Sequence, residues 1–121
     1  MAITRDYFTF QDKVTGSSNG YEWIVEQQMG DVVLLYSDTI VIDISGSTTG
    51  GTVYFEAKTT PGGEYRAFAG INARNYSIAS STDGINENWI FDVGGVYSFR
   101  CRVLNISNPI TITSKISKNY L

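Results

Sequence analysis

The chain has 121 residues, 42% of them hydrophobic, 13% aromatic and 17% charged, a length and composition that predict one globular domain and exclude a disordered or solvating segment. Folding a chain of this size buries roughly two-thirds of the surface that it exposes when unfolded, enough for a core without staples. A net charge of -3 and a pI near 4.7 repel phosphate backbones, and no local basic patch offsets them, so nucleic acid is not expected as a partner.

The opening residues, M-A-I-T-R-D-Y-F-T-F, lack the basic start and apolar run of a secretory signal, and the longest apolar run, Val32 to Tyr36, is too short to span a bilayer. The expectation is a soluble chain with no export address and no membrane partner. Residues 1–20 carry Tyr7, Phe8 and Phe10 and finish in T-G-S-S-N-G, a loop composition, which predicts either an N-terminal contact arm or an edge strand ahead of a domain over 21–121.

Residues 21–29 place Tyr21, Trp23 and Val25 on one face in strand alternation. Met29-Gly30-Asp31 reads as a turn, and V-V-L-L-Y as a strand covered on both faces. In 39–58, Ile40, Ile42 and Ile44 alternate with polar or outward residues. After a Ser/Gly/Thr turn, Val53, Phe55 and Ala57 alternate with Tyr54, Glu56 and Lys58, so the stretch predicts a hairpin. T-T-P-G-G-E is a tight reversal, Tyr65 to Ala69 a returning strand, and S-S-T-D-G-I-N-E-N the longest polar loop. Trp89, Phe91 and Val93 then approach Gly94-Gly95, and Tyr97, Phe99, Cys101 and Val103 leave it, predicting a second hairpin. Pro109 is expected to open a last strand with Ile110, Ile112 and Ile116 on one face and Ser114 as the polar interruption.

Eight to ten short strands without helical periodicity predict an all-β fold, an antiparallel β-sandwich with Ig-like or jelly-roll connections in one domain. Its core is expected to hold Ile40, Ile42, Val53, Phe55, Phe91, Phe99, Cys101 and Ile112. Cys101, the single cysteine, is read as a small buried hydrophobe.

Histidine is absent, which removes Ser-His-Asp and Cys-His nucleophile systems and reduces any zinc site to one cysteine and carboxylates. Phosphate-cradling glycine motifs are missing too. Asp43 and Glu56 are the candidate carboxylate pair on outward faces, but Lys58, Arg100 and Arg102 beside them suit an ordinary solvated sheet face. Asp83, Asn86, Glu87 and Asn88 offer oxygens without the spacing of a calcium loop. No enzyme activity, cofactor or metal is expected. Tyr54 should be exposed, and Tyr7, Tyr21 and Tyr120 are further candidates; exposed tyrosines suit either a protein interface or sugar stacking.

The run Ile40 to Phe68, with I-S-G, G-T-V-Y-F-E and P-G-G-E-Y, together with F-D-V-G-G-V-Y-S-F-R-C-R-V and a closing I-T-I-T, resembles a small β-sandwich module of structural proteins in tailed bacteriophages of Gram-positive hosts. Gly51, Val53, Phe55, Glu56, Tyr65, Gly95, Tyr97, Arg100, Arg102 and Val103 stand at the matching positions, Tyr65 replacing the usual tryptophan. The resemblance implies a non-enzymatic virion component of the head surface, neck or tail, assembled in the host cytoplasm. It would contact capsid, neck or tail subunits, or further copies of itself. Tyr7, Phe8, Phe10, Tyr54 and Tyr120 are the candidate interface residues. The alternative is a carbohydrate-binding adhesion module that holds host glycans.

Overall fold

The alternation of apolar and polar side chains resolves into strands. The computed structural model describes residues 2–25, 28–29, 32–33, 36–47 and 50–120, among which no helix occurs. In chain order the strands are β1 (Ala2–Ser18), β2 (Trp23–Ile24), β3 (Gln28–Met29), β4 (Val32–Val33), β5 (Tyr36–Gly46) and β6 (Thr52–Lys58). There follow β7 (Arg66–Ala67), β8 (Gly70–Asn72), β9 (Ile78–Ala79), β10 (Ser81–Thr82), β11 (Glu87–Asp92) and β12 (Ser98–Tyr120). Leu34 and Leu35, in the apolar run expected to be a doubly covered strand, lie outside the described residues.

Every ladder among the described residues is antiparallel, and apart from the small β3–β4 pair the described strands form one sheet organised on the 23-residue β12. The first part of β12, Ser98 to Leu104, pairs with β6; from Ile110 onward it pairs with β5. On its other side β12 pairs with β2 and then with β1. Beyond β5 the order continues through β11 and β8 to β9. The sheet therefore curls about its shared strand, and its two halves close over a common core.

This arrangement corrects the expected hairpins. β5 and β6 do not pair; they lie end to end along the same side of β12. β11 and β12 do not pair either, since β11 lies between β5 and β8. The Gly94-Gly95 turn is present, closed by Val96 N donating to Val93 O at 3.1 Å with Gly95 at φ 83°, but it carries the chain from one half of the sheet to the other. Alternation fixes which face of these hairpin stretches is buried and leaves the choice of partner strand open, so parity yields their faces and not their pairings. Pro109 does not open a strand. It lies within β12, just before ladder pairing with β5 begins at Ile110, where its missing N–H breaks no bond of that ladder.

All eight expected core residues are buried, together with Ile44, Trp89, Val93, Val103, Ile110 and Ile116. Aromatic rings run through this core. Phe10 meets Phe99 at 5.6 Å between centroids, Phe99 meets Phe91 at 4.9 Å, Phe91 meets Phe55 at 4.8 Å, and Phe55 meets Trp89 at 5.1 Å. Ser114, the polar interruption, is buried and donates to the carbonyl of Phe8 at 3.1 Å, so its hydroxyl is satisfied.

Residues 2–18 form a full strand of the sheet, and Phe10 is only 2% exposed. The registers Thr9 with Thr113 and Gln11 with Ile112 enclose a β-bulge, which turns both Phe10 and Gln11 inward. The Gln11 amide donates to the carbonyls of Cys101 at 3.0 Å and Ser18 at 3.2 Å, tying the bulged strand to β12. Phe10 is thus a core residue and not the interface residue that its place near the N-terminus suggested.

Candidate functional site

The sheet has two chemically distinct outer surfaces. On the half formed by β6 and the first part of β12, Tyr54, Glu56 and Lys58 alternate outward beside Arg100 and Arg102. Glu56 is in register with Arg100. Arg100 Nε donates to Glu56 Oε1 at 2.9 Å, and Arg102 Nε and Nη2 donate to its two oxygens at 3.1 and 3.3 Å. Arg100 also lies 3.9 Å from the Glu22 carboxylate. Partial burial by itself pushes the Glu56 carboxyl up, but hydrogen bonds and charge from Arg102 and Arg100 outweigh it and hold the group below its ordinary value. The guanidiniums stack on tyrosines: Arg100 Cζ is 3.9 Å from the Tyr65 ring centroid and Arg102 Cζ 4.4 Å from that of Tyr54. The Tyr65 hydroxyl contacts the buried Ser98 hydroxyl at 2.5 Å. Burial raises the Tyr65 phenol, with smaller opposing contributions from Ser98 and Arg100. This cluster binds the outside of the sheet to itself.

The other surface is the outer face of the half that runs from β9 through β8, β11, β5 and β12 to β1. Successive registers place Ile78, Ile71, Ile90, Val41, Lys115 and Tyr7 in one row across it. Ile78 is 73% exposed, and Ile71, Ile90 and Tyr7 are exposed as well. The neighbouring row is Asn88, Asp43, Thr113 and Thr9. Between the Tyr7 end and Asn88 these residues enclose a groove of about 560 Å³.

The sequence-derived candidates separate on this frame. Tyr7 is exposed and lines the groove. Phe8 is half-buried, its ring 5.0 Å from Phe10 and 5.4 Å from Tyr21. Tyr54 is half-covered by Arg102 on the other surface. Tyr120 ends β12 in register with Ala2 and Tyr36, and its side chain lies outside the described set. The five residues therefore do not form one patch.

Asp43 and Glu56 are not a carboxylate pair. Asp43 is in register with Thr113 and Glu56 with Arg100, which separates them by on the order of 40 Å of strand length along β12. In the polar loop, Glu87 accepts from Thr82 Oγ1 at 2.7 Å and from the indole of Trp89 at 3.1 Å, and Asp83 accepts from Thr52 Oγ1 at 2.8 Å. These oxygens hold the loop to the sheet. No cluster of three or more potential metal ligands occurs among the described residues. Cys101 is fully buried, and burial pushes its thiol well above the ordinary range. The exposed isoleucine row and the Asn88–Asp43–Thr113 row escaped the sequence reading because their members come from separate stretches joined only by register.

Architecture and surface define a single-domain antiparallel all-β module with chemically different outer faces. The model of the family described as XepA matches residues 4–115, and the chain belongs to that family. It is 30% identical over 105 residues to the SPbeta prophage-derived protein YomS of Bacillus subtilis (strain 168), a match covering 87% of this chain and 80% of YomS. The crystal structure of the SPBc2 prophage-derived protein YomS superposes with a TM-score of 0.82 at 27% identity, over 97% of this chain and 96% of that one. The PBSX exported protein XepA shares the fold, with a TM-score of 0.82 at 20% identity over 97% of this chain and 39% of its own length. The chain is therefore homologous to prophage-derived proteins.

Proposed function

We propose that the protein is a non-enzymatic virion component of a tailed phage, a head auxiliary, neck or tail protein acting through protein–protein interfaces. The observation that carries this reading is the row Ile78, Ile71 and Ile90, which exposes adjacent β-branched side chains at the β9 end of the sheet. Such a patch at a sheet edge is a liability in water and a natural contact for a neighbouring subunit of the particle. Prophage-derived relatives support the phage setting. The consumption of Glu56, Arg100 and Arg102 in mutual pairing favours a structural role over catalysis.

Density-gradient purification of phage particles tests the reading. The protein is expected to co-sediment with particles, and Ile78→Lys is expected to fold normally yet be lost from them. Absence of the intact protein from purified particles refutes the proposal. Screens for glycosidase and esterase turnover are expected to be blank; reproducible turnover abolished by Asp43→Asn or Glu56→Gln refutes the non-enzymatic part.

A further inference from the structure

We propose that the groove on the outer face of β11, β5, β12 and β1 binds a neutral oligosaccharide, with Tyr7 as its stacking platform and Asn88, Asp43 and Thr113 as its hydrogen-bonding row. The shape follows from register. Asn88, Asp43, Thr113 and Thr9 are short side chains in successive positions, while Lys115 and Tyr7 in the adjoining row are long. The short row makes a trough and the long row makes its wall. Its volume of about 560 Å³ lies within the range of small-molecule sites, roughly 300–1,000 Å³.

The chemistry narrows the ligand. Asn88 Nδ2 donates to Asp43 Oδ1 at 3.2 Å, which orients both groups. The second carboxylate oxygen of Asp43 accepts, the Asn88 amide offers a carbonyl and a further N–H, and the Thr113 hydroxyl can donate or accept. This mixed set suits vicinal sugar hydroxyls, which are donors and acceptors at once. Tyr7 is 73% exposed; the Lys115 ammonium stands over one side of its ring, 5.7 Å from the centroid, and the opposite π face complements the C–H face of a pyranose.

Charge and backbone argue against the other occupants. Asp43 and Lys115 oppose one another in sign within the lining, so the groove holds no excess positive charge for a phosphate or polyanion. β5 is paired to β11 and β12, and β12 to β5 and β1, so the trough floor offers no free edge for an extended peptide.

The test titrates isotope-labelled full-length protein with linear tetrasaccharides of glucose and of N-acetylglucosamine, with a polygalacturonate fragment as the charged control. Saturable shifts are expected at the Asn88 side-chain amide and at Thr113 with a neutral series. Tyr7→Ala and Asp43→Ala should each weaken binding about tenfold or more, while Tyr54→Ala on the other surface leaves it unchanged. Tyr7 and Asp43 are both exposed, so the variants keep the fold, which spectral dispersion verifies. No saturable shift at the groove by about 10 mM neutral tetrasaccharide overturns the proposal, as does equal binding by Tyr7→Ala or preference for the charged control. The measurement uses isolated protein and is independent of particle association.

Discussion

Phe91 and Phe99 flank the Gly94-Gly95 turn, and their rings meet at 4.9 Å with planes inclined by 55°, across the core and not along a ladder. Both are essentially inaccessible to solvent. The turn therefore brings one inward face onto another, and the contact helps to close the curled sheet.

Phe99→Ala removes a ring that touches Phe10, Phe68 and Phe91. The expected cost is about 3–5 kcal/mol, the range for emptying a fully buried aromatic position. Urea unfolding measures it; a change below about 1 kcal/mol would contradict the packing described.

Deleting residues 1–18 should abolish folding and not merely release a contact. The strand pairs along β12 from Ser18 opposite Val103 to Ala2 opposite Tyr120, and it supplies Phe10 to the core. A dispersed amide spectrum from the truncated chain would show that these residues are dispensable to the domain.

Glu56→Gln should lower stability at neutral pH by about 1–3 kcal/mol, the scale of charge-assisted hydrogen bonds, because Arg100 and Arg102 lose their shared anion. The folded carboxyl titrates below its ordinary value of 4.5, so its contribution is complete above that value and is lost as pH falls through the lower folded value. Unfolding measured from neutrality down to about pH 3 should therefore show a shallower acid limb in the variant than in the parent.

Gly70→Ala is expected to destabilise by about 1–3 kcal/mol, since a Cβ there runs into the Phe91 ring. Phe91→Leu in the same chain should be less harmful than it is alone, giving a measurable coupling in a double-mutant cycle.

The alternation of Ile40, Ile42 and Ile44, of Val53 and Phe55, and of Phe99 and Cys101 was legible because burial on a strand depends on local parity. Strand pairing was not legible in the same way. Gly94-Gly95 looks the same in a hairpin and in a turn between sheet halves, and the partners of β12 are distant in sequence. The bulge at Phe10 and Gln11 defeats parity altogether by turning consecutive side chains inward. Tyr7 could be singled out as an aromatic near the N-terminus. Its association with Asp43, Asn88 and Thr113 required the registers that join four strands.

β12 is also the last strand in chain order, and β1, β2, β5 and β6 all depend on it for a ladder. During synthesis the earlier strands emerge with their apolar faces made and their main partner still untranslated, so the sheet cannot close until residues 98–120 have cleared the ribosome. The nascent chain must spend that interval with open edges, which makes any chaperone present at that moment part of how this fold is reached.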